Sequence, residues 1–405
     1  MEDIEIPSYF VCPISMQLMK DPVTTVTGIT YDRECIEKWL FSCKNNSCPV
    51  TKLPLATTDL TPNHNLRRLI QAWCMVNASH GVDRIPTPKP PVNKAYISKL
   101  IGDARRLPAG SQQLKCLKRL RSIAGAGEHN KREIWSTPGA VDFLASVLKK
   151  EDVGVVDEAL TILFNLGPSD LVLKGFINEE GHLHLIDSLV HVLKCGIHHQ
   201  SRAMAMKMLA SAFEIADPAQ LIAAKPDCFI EAVKVIRDRI SQNATKSALK
   251  LLVELCSFGR NRIKAVEAGA VQTLVEDVLL ETSERRVCEL AMTVLDQLCS
   301  CAEGRAELLS HGAGLAIVSK KIFRVSHVAS DRAVRILLSV SKFSATCRVV
   351  QEMLQVGVVS KLCLVMQVEA SSKTKERARQ ILRLHSRVWK ASPCIPPGLL
   401  SSYPL

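Results

Sequence analysis

The residues near the start of this chain that could do chemistry are cysteines. Cys12 is followed at C-x-x-C spacing by Ser15, Cys43 and Cys48 are separated by four residues, and His64 stands alone. Zinc takes four ligands in a tetrahedron, mostly as paired thiolates or imidazoles. Four such ligands cannot be gathered here at regular spacing, so no metal site is expected, and no other cofactor. Cys12, Cys35 and Cys48 read as buried structural thiols, because no histidine nearby in sequence could activate them. Cys195 with His198 and His199 makes one C-x-x-H half-site, which reads as a turn. A block without metal must hold its loops by hydrogen bonds, ion pairs and apolar packing.

The elements that position these loops can be read in order. Pro7 and Pro13 exclude a helix interior at the start. Val23 to Val26 reads as extended, Thr27-Gly28 as a turn, and Ile29 to Tyr31 as the returning arm of a hairpin. Asp32 stands as an N-cap before a helix whose stripe is Cys35, Ile36, Trp39, Leu40 and Cys43. Asn45-Asn46-Ser47 breaks that helix, and Cys48 to Leu55 is a loop. Asn63 caps a second helix with Leu66, Leu69, Ile70 and Trp73 on its buried face. Residues 85–91 are a proline-rich linker, extended and semi-rigid.

Beyond the linker the pattern repeats. Gly139, Gly181, Gly269, Gly312 and Gly357 each precede a small or apolar pair, and Lys225-Pro226-Asp227 fills the slot between the second and third. These landmarks recur every 42 to 45 residues, the period of HEAT and armadillo arrays. Ala248, Leu251, Leu252, Leu255 and Cys256 follow helical spacing, as do Val271 to Leu279 and Val287 to Leu298. One such unit cannot bury both of its apolar faces, but stacked neighbours can, and the stack leaves an extended groove. Arg260 and Arg305 follow helix ends, where a cation neutralises the carbonyl dipole. The tail after Trp389 holds four prolines and reads as irregular.

Composition sets the outer bounds. The chain has 405 residues and a net charge of +12. The first 80 residues carry seven Lys and Arg against eight Asp and Glu, so the excess lies on the helical part. Such a surface could attract nucleic acid, anionic lipid or an acidic partner. Without a dense basic cluster it reads as a solvated face, and no nucleic-acid partner is expected. No apolar run is long enough for a spanning helix, and the acidic start lacks a secretory pattern. Its 15 cysteines are therefore read as reduced thiols.

Residues 6–78 resemble a U-box, the metal-free relative of the RING domain. The resemblance rests on Cys12-Pro13-Ile14-Ser15, Leu18 to Val23, Gly28 to Arg33, Ile36 to Trp39, Cys48-Pro49-Val50-Thr51 and Pro62 to Ile70. Joined to the linker and repeats, and to Arg387-Val388-Trp389-Lys390 near the end, the whole resembles the plant U-box armadillo ubiquitin ligases. The expected fold is a small α+β U-box domain at 5–80, a linker at 81–95, an all-α armadillo-type superhelical solenoid at 96–390 and a tail at 391–405.

The resemblance implies a ligase that docks a ubiquitin-charged conjugating enzyme and holds the thioester for attack by a substrate lysine, with no covalent intermediate of its own. Ile14 matches the apolar anchor of the first loop, Trp39 the groove on the helix, and Pro49 the contact of the second loop. Met16, one strand step beyond Ile14, borders the same surface. Lys52 stands where many U-boxes carry an arginine that bridges enzyme and ubiquitin; lysine keeps the charge and loses the planar fork. Cys12, Pro13, Asp21, Tyr31, Cys48 and Asn63 match the structural positions. The array would bind the protein substrate, and self-association is compatible with either part. The setting implied is plant stress and immune signalling, in the cytoplasm, with the nucleus and the plasma-membrane periphery as further locations. The rival readings of the residues are loop packing for Ile14 and Pro49, a core role for Trp39, and a non-catalytic armadillo adaptor for the chain. The four tryptophans, Trp39, Trp73, Trp135 and Trp389, form no ladder of the kind used by import receptors of that fold.

Overall fold

The computed structural model describes residues 6–42, 45–55, 59–78, 94–108, 110–167, 183–196, 198–281, 284–368 and 370–390. The proline-rich linker, Gly181, Cys43 and the tail lie outside them. The chain divides into two compact units. One comprises 1–144 with 165–167, and the other 145–164 with 168–405.

In the first unit a hairpin forms where the turn residues require it. Strand β1 (Pro22–Thr24) pairs antiparallel with β2 (Thr30–Asp32), with Val23 opposite Tyr31. Gly28 takes φ +81°, a conformation that costs a glycine nothing. The turn tightens at Thr25, whose N–H meets the Ile29 carbonyl, so the strand ends two residues before the expected Val26. A short third strand, β3 (Thr61–Pro62), pairs on the other side of β1. Helix α1 (Arg33–Glu37) runs on as a π-helical turn, Lys38–Ser42. Helix α2 (His64–Val76) starts at Asn63, whose side chain accepts from the Leu66 N–H. The core is Phe10, Cys12, Met19, Val23, Tyr31, Ile36, Leu40, Cys48, Ile70 and Cys74.

Two details depart from the sequence pattern. Asp32 holds the N-cap position of α1 but makes no capping bond. Its Oδ1 instead accepts from the backbone N–H groups of Lys20 and Asp21, both at 2.8 Å. On α2 the buried residues are Ile70 and Cys74, while Leu69 is 57% exposed. The helix packs one narrow stripe, and Leu69 falls beside it.

The same unit continues into α3 (Lys94–Arg106), α4 (Ser111–Ala124) and α5 (Glu128–Ser136). In the second unit a three-helix module recurs: Gln242–Leu255, Gly259–Glu267 and Ala270–Thr273, the last running on as a π-helical segment to Leu280. Arg285–Leu298, Ala302–Ser310 and Gly314–Lys321 repeat it, then His327–Phe343, Cys347–Gln355 and Val358–Gln367. The residues read as helical stripes in this part are all buried, and Leu251, Leu252, Val271, Leu274, Val294 and Leu295 fully so. Gly269 and Gly357 are left-handed N-caps. At Lys225 a proline at the first helical position, Pro226, replaces that turn.

Side chains join one module to the next. Asp296 bonds Arg332 and Arg335 of the following long helix, and Asp331 bonds Arg377. Arg305 donates to the Cys299 carbonyl at a helix end, as expected. At the equivalent place one module earlier the donor is Arg262, to the Cys256 carbonyl at 2.9 Å, and not Arg260. The 43-residue repeat places Arg262, not Arg260, in register with Arg305.

Candidate functional site

Two loops of the N-terminal domain share one construction. In the first, Cys12-Pro13-Ile14-Ser15-Met16-Gln17, the Cys12 N–H donates to the Gln17 carbonyl and the Met16 N–H to the Cys12 carbonyl. In the second, Cys48-Pro49-Val50-Thr51-Lys52-Leu53, the Cys48 N–H donates to the Leu53 carbonyl and the Lys52 N–H to the Cys48 carbonyl. An isolated antiparallel bridge closes each, Val11 with Leu18 and Ser47 with Pro54. The fifth residue of each is left-handed, Met16 at φ 56° and Lys52 at φ 59°. Met16 therefore sits at a loop tip, not on a strand, and its side chain is 75% exposed.

Neighbouring residues of β2 hold the two loops. Asp32 serves the first: its N–H points at Cys12 Sγ, 3.3 Å away, and its carboxylate holds the Lys20 and Asp21 amides. Tyr31 serves the second: its hydroxyl donates to Cys48 Sγ at 3.0 Å and accepts from the Val50 N–H. Successive strand residues face opposite sides, so one short strand can reach both loops. Asp21 is clamped by Arg33 at 2.6 Å and faces Arg67 at 3.8 Å. Asn63, besides capping α2, donates its backbone N–H to the Pro22 carbonyl.

The Cys48 environment is strongly polarised. Burial would raise its thiol, but hydrogen bonds from Thr27, Thr51 and Tyr31 outweigh it and bring the pKa down to about 6. Burial, followed by the bond to Cys48, pushes the Tyr31 hydroxyl upward, so tyrosine stays the donor. The sulfur has no exposed surface. It works as a buried acceptor and is closed to solution nucleophiles or electrophiles.

Trp39 connects this scaffold to the surface. Its ring packs half-buried against the core, as Ile14 also does. Its Nε1 donates to the Ser47 carbonyl at 2.8 Å, where the second loop begins, and Lys52 Nζ lies 5.9 Å from the ring centre. Ile14 and Pro49 are partly exposed, and Pro13 is exposed. Val50 and Leu53 add further apolar surface, 51% and 57% exposed. Sequence reading passed over these two; the signal was present in the shared Cys-Pro-aliphatic-hydroxyl frame, which puts Val50 where Ile14 stands. Cys195 is exposed and His198 faces Asp157 at 3.6 Å. Among the described residues no three His, Cys, Asp or Glu side chains gather as a metal-binding group.

Two loops of matched build beside a helix, followed by armadillo-type modules, define a U-box ubiquitin ligase of the RING type. The comparisons carry the assignment to a family. The U-box domain family matches residues 6–79, and the plant U-box protein ARM repeat region matches residues 96–404. E3 ubiquitin-protein ligase PUB23 of Arabidopsis thaliana is 53% identical over 407 residues, covering 100% of this chain and 98% of that protein. E3 ubiquitin-protein ligase PUB22 of the same plant is 49% identical, covering 100% and 99%. A solved structure from work on a phosphorylation switch between cadherin and beta-catenin shares the fold, with a TM-score of 0.57 at 12% identity, covering 81% of this chain and 58% of that one. The chain belongs to the plant U-box armadillo-repeat ubiquitin ligases. It is a ubiquitin-protein ligase.

Proposed function

We propose that Ile14, Met16, Trp39, Pro49 and Lys52, joined by Val50 and Leu53, form the face that docks the ubiquitin-charged conjugating enzyme. The observation that carries this reading is two loops closed by the same pair of backbone hydrogen bonds, the second of them bonded to Trp39, with apolar side chains left exposed on both. Partly exposed apolar anchors on a fixed frame are what interface hot spots require. The ligase supplies no nucleophile. It holds the flexible thioester conjugate where a lysine can attack, which is catalysis by proximity and orientation. Lys52, held over Trp39, offers a point charge to the conjugate but not a forked pair of bonds.

The armadillo modules bind the protein substrate in this reading. Support comes from the acid–base pairs at Asp296 and Asp331, which fix three successive long helices to one another and keep that stretch of surface in register. The protein acts in the cytoplasm, with the nucleus and the plasma-membrane periphery as further sites, in plant stress and defence responses. The plant origin of the similar ligases supports that setting, and expression of a tagged chain in plant cells tests the location.

The test of the docking face is chain formation with purified activating and conjugating enzymes. Ile14→Ala and Trp39→Ala are expected to lose at least ten-fold in rate while keeping wild-type circular dichroism. Retained activity in both variants would remove the assignment.

A further inference from the structure

We propose that Glu37 is a positioning residue for ubiquitin transfer: its carboxylate caps α5 and latches the docking domain onto the first helices beyond the linker. The direction in which the docked enzyme is presented rests on the reading above; the latch itself does not.

Glu37 is the last residue of α1, two positions before Trp39. Its side chain is only 4% exposed, an unusual state for a glutamate. A buried carboxylate is tolerated when hydrogen bonds and opposite charge replace its water. Both are present. Arg33 Nη1 lies 3.7 Å from Glu37 Oε1 on the same helix. From α5 the backbone N–H of His129 donates to the carboxylate, and the Arg132 guanidinium feels the charges of Glu128 and, less strongly, Glu37.

The α5 side shows why this carboxylate is needed. The N-cap of α5 is Gly127, which has no side chain to offer its N–H groups. A helix start leaves orphan donors and a partial positive charge, which an acidic group normally meets from within the same segment. α5 carries its own first-turn acid, Glu128, paired with Lys131 at 2.7 Å, and the carboxylate that meets the His129 N–H is a second one, Glu37, from the far side of the linker. A Cβ at Gly127 would stand 3.5 Å from Glu37 Oε2, so the backbone and the carboxylate are already in close approach. Burial raises the Glu37 carboxyl above its usual range, with Arg33 and the His129 amide pulling it back. The contact continues a chain of charges through the domain, from Arg67 to Asp21 to Arg33 to Glu37.

The consequence concerns aim. Trp39 lies on the turn that continues α1, so fixing Glu37 against α5 fixes the docking face relative to the helices that follow the linker. Docking alone should not need the latch. The choice of lysines reached by the conjugate should.

The full-length protein tests this with three readouts. In Glu37→Ala, amide exchange of His129 to Lys131 is expected to speed up at least ten-fold. The set of array lysines that become self-modified is expected to change, as read by mass spectrometry. Discharge of ubiquitin from a charged conjugating enzyme to free lysine is expected to stay within two-fold of wild type. Arg132→Glu, placed on the exposed side of α5, should move exchange and lysine choice in the same direction by repelling the carboxylate, which covers the case in which Glu37→Ala folds poorly. Unchanged exchange and an unchanged lysine set in both variants would overturn the proposal. Loss of free-lysine discharge in Arg132→Glu would overturn it as well, because the contact would then serve docking. Failure of the docking face itself shows separately, as lost discharge in Ile14→Ala with α5 exchange intact.

Discussion

The loop at Cys12 and the loop at Cys48 have the same backbone and different supports. Both are closed by the same pair of backbone hydrogen bonds and both turn at a left-handed residue. The first is held from β2 by a carboxylate that gathers two amides; the second is held by a tyrosine hydroxyl and a polarised thiol. The difference shows how one frame can be fixed without metal in two ways. Charge acceptors hold peptide donors on one side, and a chain of weak donors converges on sulfur on the other.

The largest effect should come from Asp32→Ala. It strands the Lys20 and Asp21 amides and should destabilise the domain by about 2–4 kcal/mol, since bonds to a charged group are worth roughly 1.5–3 kcal/mol each and orphaned donors add to the loss. Urea unfolding followed by exchange of β1 and β2 amides would measure it. A loss below about 0.5 kcal/mol, the scale of ordinary surface changes, would break the carboxylate account of the first loop.

Tyr31→Phe removes the bond to the Cys48 sulfur and the one from the Val50 N–H and should cost about 1–3 kcal/mol, but it should also change the pH response. The folded Cys48 pKa is about 6 against 9.0 for the free thiol. Between those values the unfolded chain binds a proton that the folded chain has released, so stability rises with pH. The contribution is full above pH 9 and is lost as pH falls through about 6. Tyr31→Phe should flatten this rise and Cys48→Ser should abolish it. Unfolding midpoints from pH 5.5 to 9 test both, and an unaltered slope in Cys48→Ser would show that the thiol does not carry it.

The smallest effect sharpens the likeness of the loops. Met16→Gly and Lys52→Gly relieve a left-handed backbone that costs a side-chain-bearing residue about 1 kcal/mol. Each should therefore change stability by a similar small gain, about 0–0.6 kcal/mol, once the entropy that glycine adds to the unfolded chain, about 0.4–1 kcal/mol, is subtracted. Opposite signs for the two would mean that the shared backbone hides unequal strain.

Much of this was legible in the sequence because burial at regular spacing leaves a pattern. The stripes Ala248 to Cys256 and Val287 to Leu298 needed only the helical period, and Asn63 only the chemistry of a cap. What escaped depends on partners far along the chain. Asp32 looks like a cap locally, yet its oxygen is claimed by amides 11 and 12 residues away. Leu69 fits the helical period, yet among the described residues it stays 57% exposed. Arg260 and Arg262 differ only in which face of a short helix meets the preceding carbonyls. The docking residues were placed by resemblance, whereas Val50 and Leu53 became visible only once the two loops could be superposed in build. Glu37 carried no sequence signal, since its partner helix lies 90 residues on, across the linker.

The central claim is that both loops grip the conjugating enzyme as one face. Its most direct test is the affinity of a ubiquitin-loaded conjugating enzyme for the full-length wild type, Ile14→Ala, Pro49→Ala and the double variant, measured by titration calorimetry. The account expects each single change to weaken binding about ten-fold, or ~1.4 kcal/mol, and the double change to weaken it further with the fold intact. Wild-type affinity in the double variant would contradict it.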